Sequence, residues 1–167
     1  GAEITDHQRH MGPRPYLLAD HPDAGYNQRM TDIQASLGSA QMERSDQIVK
    51  ERQDLAKVYN EAFKDLEWLQ TPLSEDKIQH GYQSYPCLYA PKYISEENII
   101  KINQARNEWM ETLDEKGIST RPATHAVHML KFYKNKYKLS PLDYFNSYAA
   151  NHCSLSLPLF NGMKESE

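Results

Sequence analysis

The residues with the most chemical reach form one run, Gly25-Tyr26-Asn27-Gln28-Arg29-Met30-Thr31-Asp32-Ile33-Gln34-Ala35. A glycine turn leads into a phenol, an amide and a guanidinium, just ahead of a Thr-x-x-Gln capping box that marks a helix start. Hydrogen-bond donors, a fixed positive charge and backbone amides at a helix entry are what recognition of an anion such as phosphate requires. The same residues also make an adequate helix entry, so residue types alone leave both readings open.

Other candidates are weaker. His125-x-x-His128 places two imidazoles three residues apart, and on a helix they would share a face. No HExxH or CxxC accompanies them, so a structural histidine outweighs a zinc site. Lys131, Lys134, Lys136 and Lys138 alternate with Phe132, Tyr133 and Tyr137, a pattern able to attract a small anion, although basic runs are usually solvated faces. His152 and Cys153 are adjacent, and neighbours in sequence do not face each other on a helix, so no thiolate–imidazole pair is expected. There is no P-loop, no GxGxxG and no GxSxG. Neither a nucleophile nor a metal site is expected.

These residues need elements to hold them. Residues 1–25 read as an extended arm, since Met11-Gly12-Pro13-Arg14-Pro15 cannot form a helix, and its few apolar side chains (Ile4, Tyr16, Leu17, Leu18) call for a surface supplied by another body. From Thr31 a long amphipathic helix is expected to run to about Trp68. Its first stretch is rich in small residues around Gly38, which implies a close helix approach, and its second carries Ile48, Leu55, Tyr59, Ala62 and Leu66 on one side. Thr71-Pro72 ends it. Tyr82 to Ala90 reads as a strand, with Pro86 placing it at an edge or bulge. Ser95 caps a helix that stops at Gly117, a short strand follows over 118–120, Ser140-Pro141 opens a third helix, and Leu155, Leu157 and Leu159 mark a last strand. The expected architecture is α+β, a small sheet with helices on one face, preceded by long helices.

Composition sets the outer limits. The 167 residues carry 19 Lys+Arg against 23 Asp+Glu, a formal net charge of −4, and the mean hydropathy is −0.80. The acid excess removes the global positive field of non-specific nucleic-acid binders, and no apolar run is long enough to span a bilayer. Cys87 and Cys153 read as buried thiols in a reducing compartment, which makes the cytoplasm the expected location. Gly1 in place of Met points to an expression scar or a start inside a longer gene.

The run from Gly25 to Ala35 resembles the Gly-Tyr-Asn-x-Arg-Met-Thr-Asp-x-Gln-Ala signature of the DegT/StrS sugar aminotransferase family. The likeness continues through Gln41-Met42-Glu43-Arg44, His80 to Tyr85, Gly117 to His128, and Asn146 to Ala150 with Leu157-Pro158-Leu159-Phe160. These blocks stand in family order along nearly the whole chain, which is more specific than any single motif.

The resemblance implies a C-terminal, perosamine-synthetase-like portion of an aspartate-aminotransferase-like (fold type I) pyridoxal-phosphate enzyme that aminates nucleotide-linked keto-sugars with an amino-acid donor. Residues 1–30 would be an arm from the end of the large cofactor domain, 31–70 connecting helices and 71–167 the small domain. The Schiff-base lysine would lie upstream, none of the 12 lysines here standing at its position, so no catalytic residue is expected in this chain. Asn27, with Tyr26 and Arg29, would bind the cofactor phosphate across a homodimer interface, while His128, His125 and Arg121 would line the sugar-nucleotide side. Gln28 stands where the family more often has an aromatic. The alternative is a non-catalytic binding or dimerisation module that keeps the small-domain fold.

Overall fold

A computed structural model describes residues 14–26, 29–73 and 77–164. The elements run α1 (Asp32–Met42), α2 (Ser45–Phe63), β1 (Leu69–Gln70), β2 (Tyr85–Tyr89), α3 (Ile99–Glu115), α4 (Lys131–Tyr137), α5 (Phe145–Cys153) and β3 (Ser154–Leu157). Short 3-10 turns at Pro91–Tyr93, Val127–Met129 and Pro141–Tyr144 join them. The strands form one antiparallel sheet in the order β1-β2-β3, an α+β layer as expected.

The expected single helix from Thr31 to Trp68 is two. Its chain leaves helical geometry at Arg44, with φ −118° and ψ 16°, while the Ser45 hydroxyl donates back to the Met42 carbonyl at 2.9 Å and Arg44 Nη2 to Gln41 Oε1 at 3.1 Å. These local bonds compete with the helical ladder where no tertiary packing enforces it. α1 buries no residue, and nothing lies within 4 Å of where a Cβ on Gly38 would sit, so the expected close approach is not made among the described residues.

α2 does pack. Ala56 is fully buried, and with Met110 of α3 it joins Tyr85 and Cys87 of β2 and Leu155 and Leu157 of β3, which share one face because side chains alternate along a strand. A second cluster joins Ile99 and Ile102 of α3 to Ala149 and Cys153 of α5. Arg52 ties α2 to the sheet ends: Nη1 donates to the carbonyls of Tyr82 (3.0 Å), Gln83 (3.1 Å) and Leu159 (3.3 Å), and Nε to Asn161 Oδ1 (3.0 Å).

β2 is shorter than the expected 82–90 because Tyr82 (φ 42°) and Ala90 (φ 49°) are left-handed and end the extended backbone on either side. Pro86 stands in the middle strand, where the sequence suggested an edge or bulge. Its partner Ser156 turns its own N–H and C=O toward Arg121, and β1 pairs only with Leu88 and Tyr89, so the missing Pro86 donor faces no paired strand. The strand expected over 118–120 reduces to a single bridge, Arg121 to Ser156. β3 ends at Leu157, before Pro158.

The described part of the arm docks on its own chain. Tyr16 donates to Glu111 Oε1 at 2.9 Å, Pro15 and Ala19 are buried, and His21 offers its carbonyl to the N–H of Phe132 at 3.0 Å. The expectation that Tyr16 needs a foreign surface is thereby corrected. Leu17 stays half-exposed.

Candidate functional site

The first group of candidates lies at the entry to α1. Thr31 closes this helix locally, its hydroxyl accepting the N–H of Gln34 at 3.4 Å while Gln34 Oε1 accepts the N–H of Thr31 at 2.9 Å. These two bonds close the helix entry without using the side chains of Tyr26 or Arg29. Tyr26 is 95% exposed, Arg29 is exposed, and neither side chain bonds another described residue. Asn27 and Gln28 lie outside the described residues. A phenol and a guanidinium without internal partners can hold an anion; Asp32 in the first turn of α1 adds an opposing charge.

The second group lies on the segment from Gly117 to Met129. Gly117, at φ 79°, turns the chain out of α3 in a conformation that glycine adopts without penalty. Arg121 is then pinned by its backbone, its N–H donating to Ser156 O at 3.3 Å and its carbonyl accepting from Ser156 N at 2.6 Å, while Nη1 donates to Thr120 O at 3.2 Å. Asn151 Oδ1 accepts the N–H of Ala126 at 2.8 Å and so orients the turn carrying His128.

The two histidines take different neighbours. His125 meets His21 of the arm edge-on, with ring centroids 6.0 Å apart. His128 is only 7% exposed, its ring 5.2 Å from that of Tyr144, and its Nε2 is enclosed without a partner among the described residues. It opens on a cavity of about 420 Å³ walled by Tyr133, Tyr137 and Tyr144 together with Val127 and Leu139. A buried imidazole nitrogen beside three phenol rings can hydrogen-bond a polar ligand while the rings stack on a flat one. Among the described residues no group of three His, Cys, Asp or Glu could hold a metal ion.

The basic run forms α4, which sequence periodicity did not suggest. Lys136 Nζ lies over the rings of Phe132 and Tyr137 at 5.4 and 5.3 Å. Burial pushes the thiols of Cys87 and Cys153 up to about 12 and about 11, although Arg106 pulls Cys153 the other way. Neither is a nucleophile near neutral pH. His152 turns to the Tyr148 carbonyl at 2.9 Å rather than to Cys153, and burial lowers its pKa. Sequence reasoning missed Tyr144 and the arm residues Asp20 and His21, because their partners lie 16 to 111 positions away and no local pattern marks such contacts.

A profile of the DegT/DnrJ/EryC1/StrS aminotransferase family matches residues 4–167. The chain belongs to this family. It is 30% identical to the spore coat polysaccharide biosynthesis protein SpsC of Bacillus subtilis, over 86% of this chain and 35% of that protein. With the GDP-perosamine synthase of Escherichia coli O157:H7 it shares 29% identity over 73% of this chain and 30% of that protein. The fold matches that of Spr1654 from Streptococcus pneumoniae, described as a sugar aminotransferase and determined in its PLP form, with a TM-score of 0.69, 21% identity, and coverage of 96% of this chain and 38% of that one. This family member therefore spans roughly a third of the length of the relatives it matches. Among the described residues no helix is long and apolar enough to cross a membrane.

Proposed function

We propose that the chain is the C-terminal part of a pyridoxal-phosphate aminotransferase acting on nucleotide-linked keto-sugars, and that it is not catalytically complete alone. The observation that carries this reading is the family match over residues 4–167 of a chain that covers only about 35% of a relative such as SpsC. The activity named in a second relative, GDP-perosamine synthase, supports a nucleotide-linked sugar as substrate.

The donor set fits the phosphate end of the cofactor and not its covalent attachment. Arg29 and Tyr26 are exposed and unengaged among the described residues, as phosphate ligands must be before binding. All 12 lysines are exposed, whereas a lysine that holds this cofactor needs a sheltered amine with a lowered pKa. When bound, pyridoxal phosphate supplies the electron sink for moving an amino group from an amino acid to a keto carbon. Arg29 would pair with phosphate oxygens, Tyr26 would donate its hydroxyl, and Asn27 would add its amide by family resemblance, across the interface of a homodimer. The imidazole of His128 would bond a polar group of the sugar nucleotide, with His125 and Arg121 along the same side.

In this reading residues 1–30 continue a large domain that bears the lysine, 31–70 connect the domains, 71–167 form the small domain, and the enzyme works in the cytoplasm. Reading the coding DNA upstream of the Gly1 codon tests the proposal. An in-frame, lysine-bearing domain is expected; a stop codon directly upstream would favour a stand-alone binding or dimerisation module.

A further inference from the structure

The arm and the histidine-bearing wall are joined by a contact that nothing in the local sequence announces. α4 begins after Leu130, whose side chain cannot cap a helix, so its first amides need acceptors from elsewhere. Asp20 Oδ1 accepts the N–H of Lys131 at 2.9 Å from 111 positions away, and the His21 carbonyl accepts the N–H of Phe132 at 3.0 Å. The same carboxylate oxygen accepts the N–H of His21 at 2.7 Å, which fixes the turn of the arm. Tyr16 anchors the arm on α3 through Glu111, and His21 closes on His125.

We propose that Asp20 is a positioning residue: by capping α4 it fixes two walls of the His128 cavity and anchors the arm that leads to Arg29. Tyr133 and Tyr137, which line the cavity, are carried by α4. Tyr26 follows His21 by five residues, so the anchored arm keeps it within about 18 Å of the cap even when fully extended. The carboxylate is held below its ordinary range, chiefly by the Lys131 N–H, so the cap is ionised at neutral pH. What the two loops bind rests on the proposed function; the latch itself does not.

The test is amide hydrogen exchange and histidine-ring NMR on the 167-residue chain, as wild type, Asp20→Ala and Asp20→Asn. Asn keeps a side-chain oxygen that can accept the same bond, so it serves as the conservative rescue. In Asp20→Ala, exchange at Lys131 and Phe132 is expected to rise by roughly tenfold or more. The ring signals of His125 and His128 should shift, while amides of α3 stay protected. Asp20→Asn should fall between Ala and wild type, because a neutral amide oxygen accepts the same bond more weakly than a carboxylate. Unchanged exchange at Lys131 and Phe132 in Asp20→Ala would overturn the proposal, as would an Asn variant as loose as Ala, or equal loosening of α3. The coding DNA upstream of the Gly1 codon separates the two readings: a stop codon directly upstream counts against the function, and the exchange pattern as stated would still leave the latch standing.

Discussion

At the scale of single residues, the chain distinguishes side chains that hold the fold from those left open to a ligand. Arg52 is of the first kind, since its guanidinium reaches three carbonyls on two separate segments and the Asn161 amide. Arg52→Ala should lower the unfolding free energy by about 1.5–3 kcal/mol, the range for a hydrogen bond to a charged group. Chemical denaturation measures this, and Arg52→Lys should restore less than half, because an ammonium lacks the planar fork. Arg29 is of the second kind, and its truncation should leave the melting temperature unchanged. The thiols give a third expectation. With Cys153 pushed up to about 11, its thiolate fraction at pH 8 is on the order of one in a thousand. A thiol reagent should label neither Cys87 nor Cys153 in the native chain and both after denaturation; fast native labelling would contradict the burial.

At the scale of elements, the arm latched to α4 has a definite pH dependence. The Asp20 pKa is lowered in the fold, foremost by the Lys131 N–H and secondarily by His21, with the Lys131 and His21 charges acting in the same direction. A depressed pKa contributes stability above the unfolded value of 3.8, and that contribution is lost as pH falls through the folded value. Protection of the Lys131 and Phe132 amides should therefore hold from pH 7 to pH 5 and decline only below about pH 4, which exchange measured across that range would show. The elements also show what kind of information a sequence carries. The start of α1 was legible because Thr31 and Gln34 are three residues apart and satisfy each other. The break at Arg44 was not, since it arises where packing is absent, and neither was the cap on α4, whose acceptor lies 111 positions away. Pro86 suggested an edge or bulge, whereas its strand is the middle one; the two-residue β1 stops short of Pro86, which the local sequence does not reveal.

At the scale of the whole molecule, α1 buries no residue against the other described elements. Ile33 is 82% exposed and Leu37 66%, so the chain should self-associate at high concentration through this face. Light scattering would show it, and a strictly monomeric species would contradict it. The candidate site was legible unevenly. The cofactor-phosphate role proposed for Tyr26, Asn27 and Arg29 rests on family resemblance, because their residue types alone point only to an anion and serve equally as a helix entry. The cavity at His128 needed the fold, since α4 and Tyr144 reach it from later in the chain.

The central claim is that this chain carries residues for the cofactor phosphate and the sugar nucleotide but no amine that holds the cofactor. Borohydride reduction in the presence of pyridoxal phosphate, followed by peptide mapping, tests it most directly. Scattered, substoichiometric labelling across the exposed lysines is predicted. Stoichiometric labelling of one specific lysine would contradict the account and place the catalytic centre inside this chain.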